Sequence, residues 1–125
     1  MMLQSVLIVG TGGFLGSVGR YLITYVIKKQ GVSVFPIATL TINLAGSLLI
    51  GLIMAAAFTE NVNHQMRLLL ATGFCGGFTT FSTFSFEFFS LLQNGHNGYA
   101  LLYAGASLVL GLLTVWLGFK VGTII

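Results

Sequence analysis

Gly73-Phe74-Cys75-Gly76-Gly77-Phe78-Thr79-Thr80-Phe81-Ser82-Thr83-Phe84-Ser85-Phe86-Glu87 is the stretch on which the fold turns. The residues before and after it belong in lipid, yet the stretch itself carries glycines, hydroxyls and a carboxylate. Backbone that leaves the helix at membrane depth must be buried in protein or line a cavity, because an unpaired amide in hydrocarbon costs several kcal/mol. A break at this point therefore marks a site.

The composition justifies placing the stretch in a bilayer. Of 125 residues, 56% are hydrophobic and 6% charged, against roughly 25% charged residues in an ordinary soluble domain. Four apolar stretches use nearly the whole chain: about Leu3 to Ile27, Phe35 to Phe58, Arg67 to Leu92 and Gly98 to Gly122. Each reaches the roughly 20 residues that a membrane helix needs. The expectation is a single all-α membrane domain over 1–125, with four transmembrane helices, the third of them broken. The first stretch lacks a basic start and a cleavage site, so it reads as a span and not as a signal peptide.

An even number of spans puts both termini on one side with Glu60, His64 and Arg67, and Lys28, Lys29 and His96 on the other. Near the span ends, Arg67 and Lys120 balance Lys28 and Lys29, so the positive-inside rule gives no direction. Insertion in both orientations, and hence an antiparallel homodimer, is the expectation that follows. The net charge of +3 is small and scattered and does not argue for nucleic acid.

Gly12 and Gly16, Ser47 and Gly51, and Gly118 and Gly122 stand four apart, the spacing that lets membrane helices approach closely. The Gly10-Thr11-Gly12-Gly13 run lacks the preceding strand and the spacing of a dinucleotide fingerprint. Cys75 is the single cysteine, so no internal disulfide exists; with no neighbouring His or Cys it reads as a packing residue. His64, His96 and Glu60 are solvated loop residues.

Two polar stripes run along the helices. Thr39, Asn43 and Ser47 recur every four residues on the second span; Tyr103, Ser107 and Gly111 repeat the spacing on the fourth, with Thr114 three residues on. Such side chains either line a polar path or bond across helices and back to their own carbonyls. Phe81, Phe84 and Phe88 share a face just past the break, where lipid contact is the ordinary reading. Thr79, Thr80, Ser82 and Thr83 interleave with these rings and argue for a polar interior, toward which a ring can present its positive edge to a desolvated anion. Two ionisable groups lie within the spans. Arg20 must snorkel, meet a wet vestibule or find a carboxylate. Glu87 would repel an anion and is expected to be hydrogen-bonded, neutral or turned aside.

The run from Gly73 to Glu87, with Asn43-Leu44-Ala45-Gly46 and Arg20, closely resembles the CrcB/Fluc fluoride channels, in order over the whole chain. The resemblance implies a dual-topology homodimer in the inner membrane with two side-by-side fluoride pores, each lined by both subunits. It implies that Phe81 and Phe84 are the paired rings that meet fluoride, that Asn43 donates to it, and that Arg20 sits in the vestibule. It places Thr39, Ser82, Thr83, Tyr103 and Ser107 along the ion's route and matches Glu87 to the family's glutamate. Gly111 departs from members that carry a second serine there, so a water or Thr114 would have to continue the track. The resemblance also implies a structural sodium ion at the dimer centre, bound by the Gly76 and Thr79 carbonyls of both subunits. A broken helix frees such carbonyls, and a hard cation prefers oxygen.

The implied activity is passive fluoride efflux, with no enzymatic chemistry and no energy-coupling site. Two alternatives share the size of the chain. A four-span proton-coupled exporter of cationic drugs needs a carboxylate in its cavity, typically on the first helix, where this chain has Arg20. A non-transporting membrane subunit would use the glycine pairs but leave the break without a purpose.

Overall fold

The computed structural model describes residues 1–125 and is entirely helical. Helix α1 spans Met2–Lys29 and α2 spans Ile37–Phe58. The third span begins with α3 (His64–Arg67), runs through π-helical turns over Leu68–Cys75 and one α-turn, α4 (Gly76–Phe78), and resumes after the break as α5 (Phe81–Gln93). Helix α6 spans Asn97–Ile124. Three helices, α1, α2 and α6, are each long and apolar enough to cross a membrane, and the bent 64–93 segment lies among them. The helix ends lie within a few residues of the ends of the apolar stretches; the third helical segment starts at His64, before Arg67, and its Leu68–Cys75 part is wound more loosely than an α-helix.

Local chemistry fixes the ends. Lys28 and Lys29 close α1, where cations offset the negative end of the helix dipole. Pro36 stands before α2 with φ −77° and ψ 66°, and the Ile37 N–H reaches back to the Phe35 carbonyl at 2.8 Å, an inverse γ-turn. Asn63 caps α3 by accepting from the Met66 N–H at 2.8 Å. At the end of α5, Gly95 takes φ 76°, its N–H bonds the Leu92 carbonyl, and the His96 N–H bonds the Leu91 carbonyl. This is a Schellman ending, which turns the chain directly into α6.

Glycines set the packing. A methyl group on Gly12 would meet the Leu69 carbonyl and lie 2.9 Å from Gly73 Cα; one on Gly77 would meet the Gly13 carbonyl. So α1 and the first half of the third span touch backbone to backbone. Gly51 faces the Val115 carbonyl, Gly118 the Leu48 carbonyl and Gly122 the Ala55 side chain, which joins α2 to α6 in the same way. Gly12, Gly16, Gly51, Gly118 and Gly122 are thus contact points of two helix pairs, while Ser47, paired with Gly51 in the sequence, lines a cleft instead. Leu40, Leu91, Ala100 and Tyr103 form a small core where α2, α5 and α6 meet. Only 16 of 125 residues are buried, and Phe14, Leu101, Leu108, Leu112 and Trp116 are among many large apolar side chains facing outward. Such an exterior suits lipid, and the chain is a multi-pass membrane protein.

Candidate functional site

The site grows from the break. After Phe78 the backbone becomes extended, with Thr79 at φ −83°, ψ 159° and Thr80 at φ −150°, ψ 121°. The Asn43 carboxamide pairs with Thr80 as a neighbouring strand would. Its Oδ1 accepts from the Thr80 N–H at 2.9 Å and its Nδ2 donates to the Thr80 carbonyl at 3.1 Å. One side chain on α2 thus satisfies both backbone polar groups of a residue that left the helix.

Thr80 also caps α5. Its hydroxyl accepts from the Thr83 N–H at 3.2 Å, donates to the Thr83 hydroxyl at 3.1 Å and lies 3.3 Å from the Ser82 hydroxyl. The carbonyls from Gly76 to Thr79 consequently lose their helical donors, and two of those donors have visible new partners. The Thr80 N–H that would close a turn onto Gly76 goes to Asn43, and the Thr83 N–H that would close onto Thr79 goes to the Thr80 hydroxyl.

Beside the break lies a cleft of about 570 Å³, lined by polar Asn43, Ser47, Thr79, Thr80 and Ser107 together with Phe81, Phe84 and other apolar residues. Phe81 is 80% exposed and its ring centroid is 5.9 Å from that of Phe84, while Phe88 continues the ladder at 6.3 Å. Phe84 rests on Tyr103 at 4.9 Å. The Ser107 hydroxyl is buried with no hydrogen-bond partner in the chain. Gly76 faces the same cleft, with nothing within 4 Å of where a side chain would begin.

A second polar knot lies deeper. Glu87 accepts from the Thr39 hydroxyl through one oxygen and from the Tyr103 hydroxyl through the other, each at 2.7 Å. Glu87 is thereby hydrogen-bonded, one of the three states expected of it, and it ties α2, α5 and α6 together. Among the residues of the sequence reading, Phe81, Phe84, Asn43 and Ser107 meet in the cleft together with Gly76 and Thr79. Thr39 and Tyr103 are buried and turn their hydroxyls to Glu87. Ser82 and Thr83 lie exposed on the first turn of α5, outside the cleft lining. Arg20 follows Gly19, whose side-chain position lies 3.7 Å from the Phe78 ring, so it stands at the level of the break but does not line the cleft. Thr114 donates back to the Gly111 carbonyl at 2.9 Å, and neither residue extends the lining beyond Ser107.

Two participants went unassigned in the sequence. Ser47 extends the Asn43 stripe into the cleft, and Thr80 organises the break. The signal for Thr80 is present, since a threonine just before a helical run is a favoured N-cap.

The family model described as CrcB-like protein, Camphor Resistance (CrcB), matches residues 7–119. The chain belongs to the CrcB family. Relatives named fluoride-specific ion channel FluC span nearly the full length of this CrcB chain. That of Chlorobium chlorochromatii is 49% identical over 114 residues, 90% of this chain and 88% of the relative. That of Chlorobaculum tepidum is 48% identical over 119 residues, 94% of each. That of Thermus thermophilus is 44% identical over 122 residues, 98% of this chain and 96% of the relative. The family match over residues 7–119 takes in every residue that lines the cleft.

Proposed function

We propose that this chain is one subunit of a fluoride-selective channel in a bacterial-type inner membrane, conducting fluoride passively out of the cell. The observation that carries the reading is the break itself, held open by Asn43 and flanked by Phe81, Phe84 and the unpartnered Ser107 hydroxyl in one cleft. Ring edges, one free Asn43 amide proton and neutral hydroxyls are weak donors that can replace fluoride's water without trapping it, whereas a full positive charge would hold the ion. The first turn of α5 adds the partial positive charge of a helix start.

The cleft is open along one side, and Phe81 projects from it. A second, antiparallel copy would supply the opposite wall and bury that ring, giving two equivalent pathways per dimer. The balanced distribution of Lys and Arg supports insertion in both directions. Selectivity over chloride follows from a narrow path in which a larger ion neither fits nor gains enough from the donors. The membrane potential, inside negative, supplies about 2.3 kcal/mol per charge per 100 mV for outward movement, so no coupling device is needed.

A structural sodium ion fits the donor set. The Gly76 and Thr79 carbonyls are among those the break frees, their helical donors having turned to Asn43 and to the Thr80 hydroxyl. Two such pairs, one from each subunit, would hold a hard cation at the centre of the dimer, where it would satisfy the freed backbone. Glu87 keeps its two oxygens on hydroxyl donors and does not line the cleft, so its carboxylate is turned away from the ion. Arg20, at the level of the break, would draw anions toward one mouth. Neither rival accounts for the same features. An exporter of cations lacks its acid on α1, and a silent subunit has no use for the cleft.

Purified protein in vesicles loaded with fluoride or with chloride tests the reading. Fluoride is expected to leave and chloride to stay, with Phe81→Ile and Phe84→Ile sharply slowing the fluoride. Fluoride retention equal to that of protein-free vesicles would overturn it.

A further inference from the structure

The Phe84 ring in the cleft is supported by an aromatic chain that begins outside the spans. Phe84 lies on Tyr103, a fully buried side chain, at 4.9 Å. Tyr103 meets the Phe35 ring edge-to-face at 5.6 Å and 73°. Phe35 also meets Tyr99, one helical turn earlier on α6, edge-to-face at 6.1 Å and 70°. One ring from the connection between α1 and α2 thus braces two successive turns of α6.

The backbone beneath that ring is unusually constrained. Phe35 precedes Pro36, which restricts its own backbone to extended conformations. The Phe35 carbonyl is held by the Ile37 N–H at 2.8 Å in the inverse γ-turn around Pro36. A connecting segment that would otherwise move freely instead presents a fixed wedge.

We propose that Phe35 is a positioning residue for conduction: it fixes Tyr103 and, through it, the angle of the Phe84 ring at the cleft. Phe35 touches neither the cleft nor the ion. Its effect depends on ring geometry, because an edge-to-face contact resists rotation of both partners in a way that an aliphatic side chain of similar volume does not. The proposal rests on the channel reading above.

The test compares wild type, Phe35→Leu and Phe35→Tyr in fluoride-loaded vesicles, with Phe58→Leu as control. The control removes a similar edge-to-face pair, Phe58 with Phe119 at 6.3 Å, away from the cleft. Phe35→Leu is expected to slow fluoride by at least about fivefold, in line with the loss of two aromatic pairs. Phe35→Tyr keeps the ring and should stay near wild type, as should the control. Phe35→Met serves with the same expectation if the leucine variant does not assemble. Two readouts separate positioning from simple stabilisation. The Phe84 ring, followed by NMR of labelled phenylalanine, should flip faster in Phe35→Leu. Adding Phe35→Leu to Tyr103→Leu should bring no further loss of flux, whereas independent stabilising roles would add. Equal flux and an unchanged Phe84 ring in Phe35→Leu overturn this inference while leaving the channel intact. A wild type that does not pass fluoride overturns the reading beneath it.

Discussion

Replacing Asn43 with leucine separates the two things its carboxamide can do. Leucine keeps the volume but removes both hydrogen bonds to Thr80, at 2.9 and 3.1 Å. The Thr80 N–H and carbonyl are then left unpaired beside an apolar side chain, at roughly 1–3 kcal/mol for each group, or about 2–6 kcal/mol together. Part of this can be recovered if the Thr80 N–H returns to the Gly76 carbonyl and the helix closes, but that closure erases the cleft. Either way the variant loses. Thermal unfolding in detergent without any fluoride should show an apparent midpoint lowered by on the order of 10 °C, and fluoride flux should fall close to the protein-free background. Asn43→Asp keeps the acceptor for the Thr80 N–H but sets a carboxylate oxygen against the Thr80 carbonyl, so it should also be destabilised and slow. The fluoride-free measurement is decisive, because a residue that only met the ion would leave it unmoved. If Asn43→Leu melts with wild type and still conducts, the claim that this side chain holds the break open is wrong.

Other perturbations probe separate contacts. Gly77→Ala forces a methyl group onto the Gly13 carbonyl and should cost roughly 1–3 kcal/mol in thermal unfolding, whereas Gly10→Ala, inside α1 and facing open space, should not destabilise and should add up to about 1 kcal/mol. Thr80→Val removes the α5 cap and should lower stability by about 1 kcal/mol; an unaltered unfolding curve would show that the cap is idle. Glu87→Ala strands the Thr39 and Tyr103 hydroxyls and should destabilise the chain more than Tyr103→Phe, which leaves Glu87 one donor and keeps the ring against Phe84; the opposite order would contradict the knot as drawn. Exchange of sodium for a bulky organic cation during extraction should weaken subunit association in size-exclusion chromatography, and a dimer that ignores the exchange would argue against the carbonyl site.

The break was legible in the sequence because glycines and hydroxyls clustered at membrane depth disfavour both lipid contact and a continuous helix, and the glycine pairs were legible because close approach needs a spacing of four. The Phe81, Phe84 and Phe88 ladder follows from helical periodicity alone. What could not be read is how the stripes are spent. That Thr39 and Tyr103 both turn to Glu87, and that Asn43 pairs with Thr80, depends on the relative height of three helices, which no single-helix pattern fixes. Ser82 and Thr83 fall outside the cleft because the helix starts at Phe81, so its first turn rotates them away. The π-helical winding of Leu68–Cys75, which packs against α1 through Gly73, leaves no mark in the composition.

One recording bears on the account most directly: simultaneous fluoride and chloride electrodes over vesicles that hold both ions and the wild-type protein, with an imposed potential to drive anions outward. Fluoride should appear at once while chloride remains inside. Loss of both ions together, or of neither, would contradict a pathway built from ring edges and neutral donors at the broken helix.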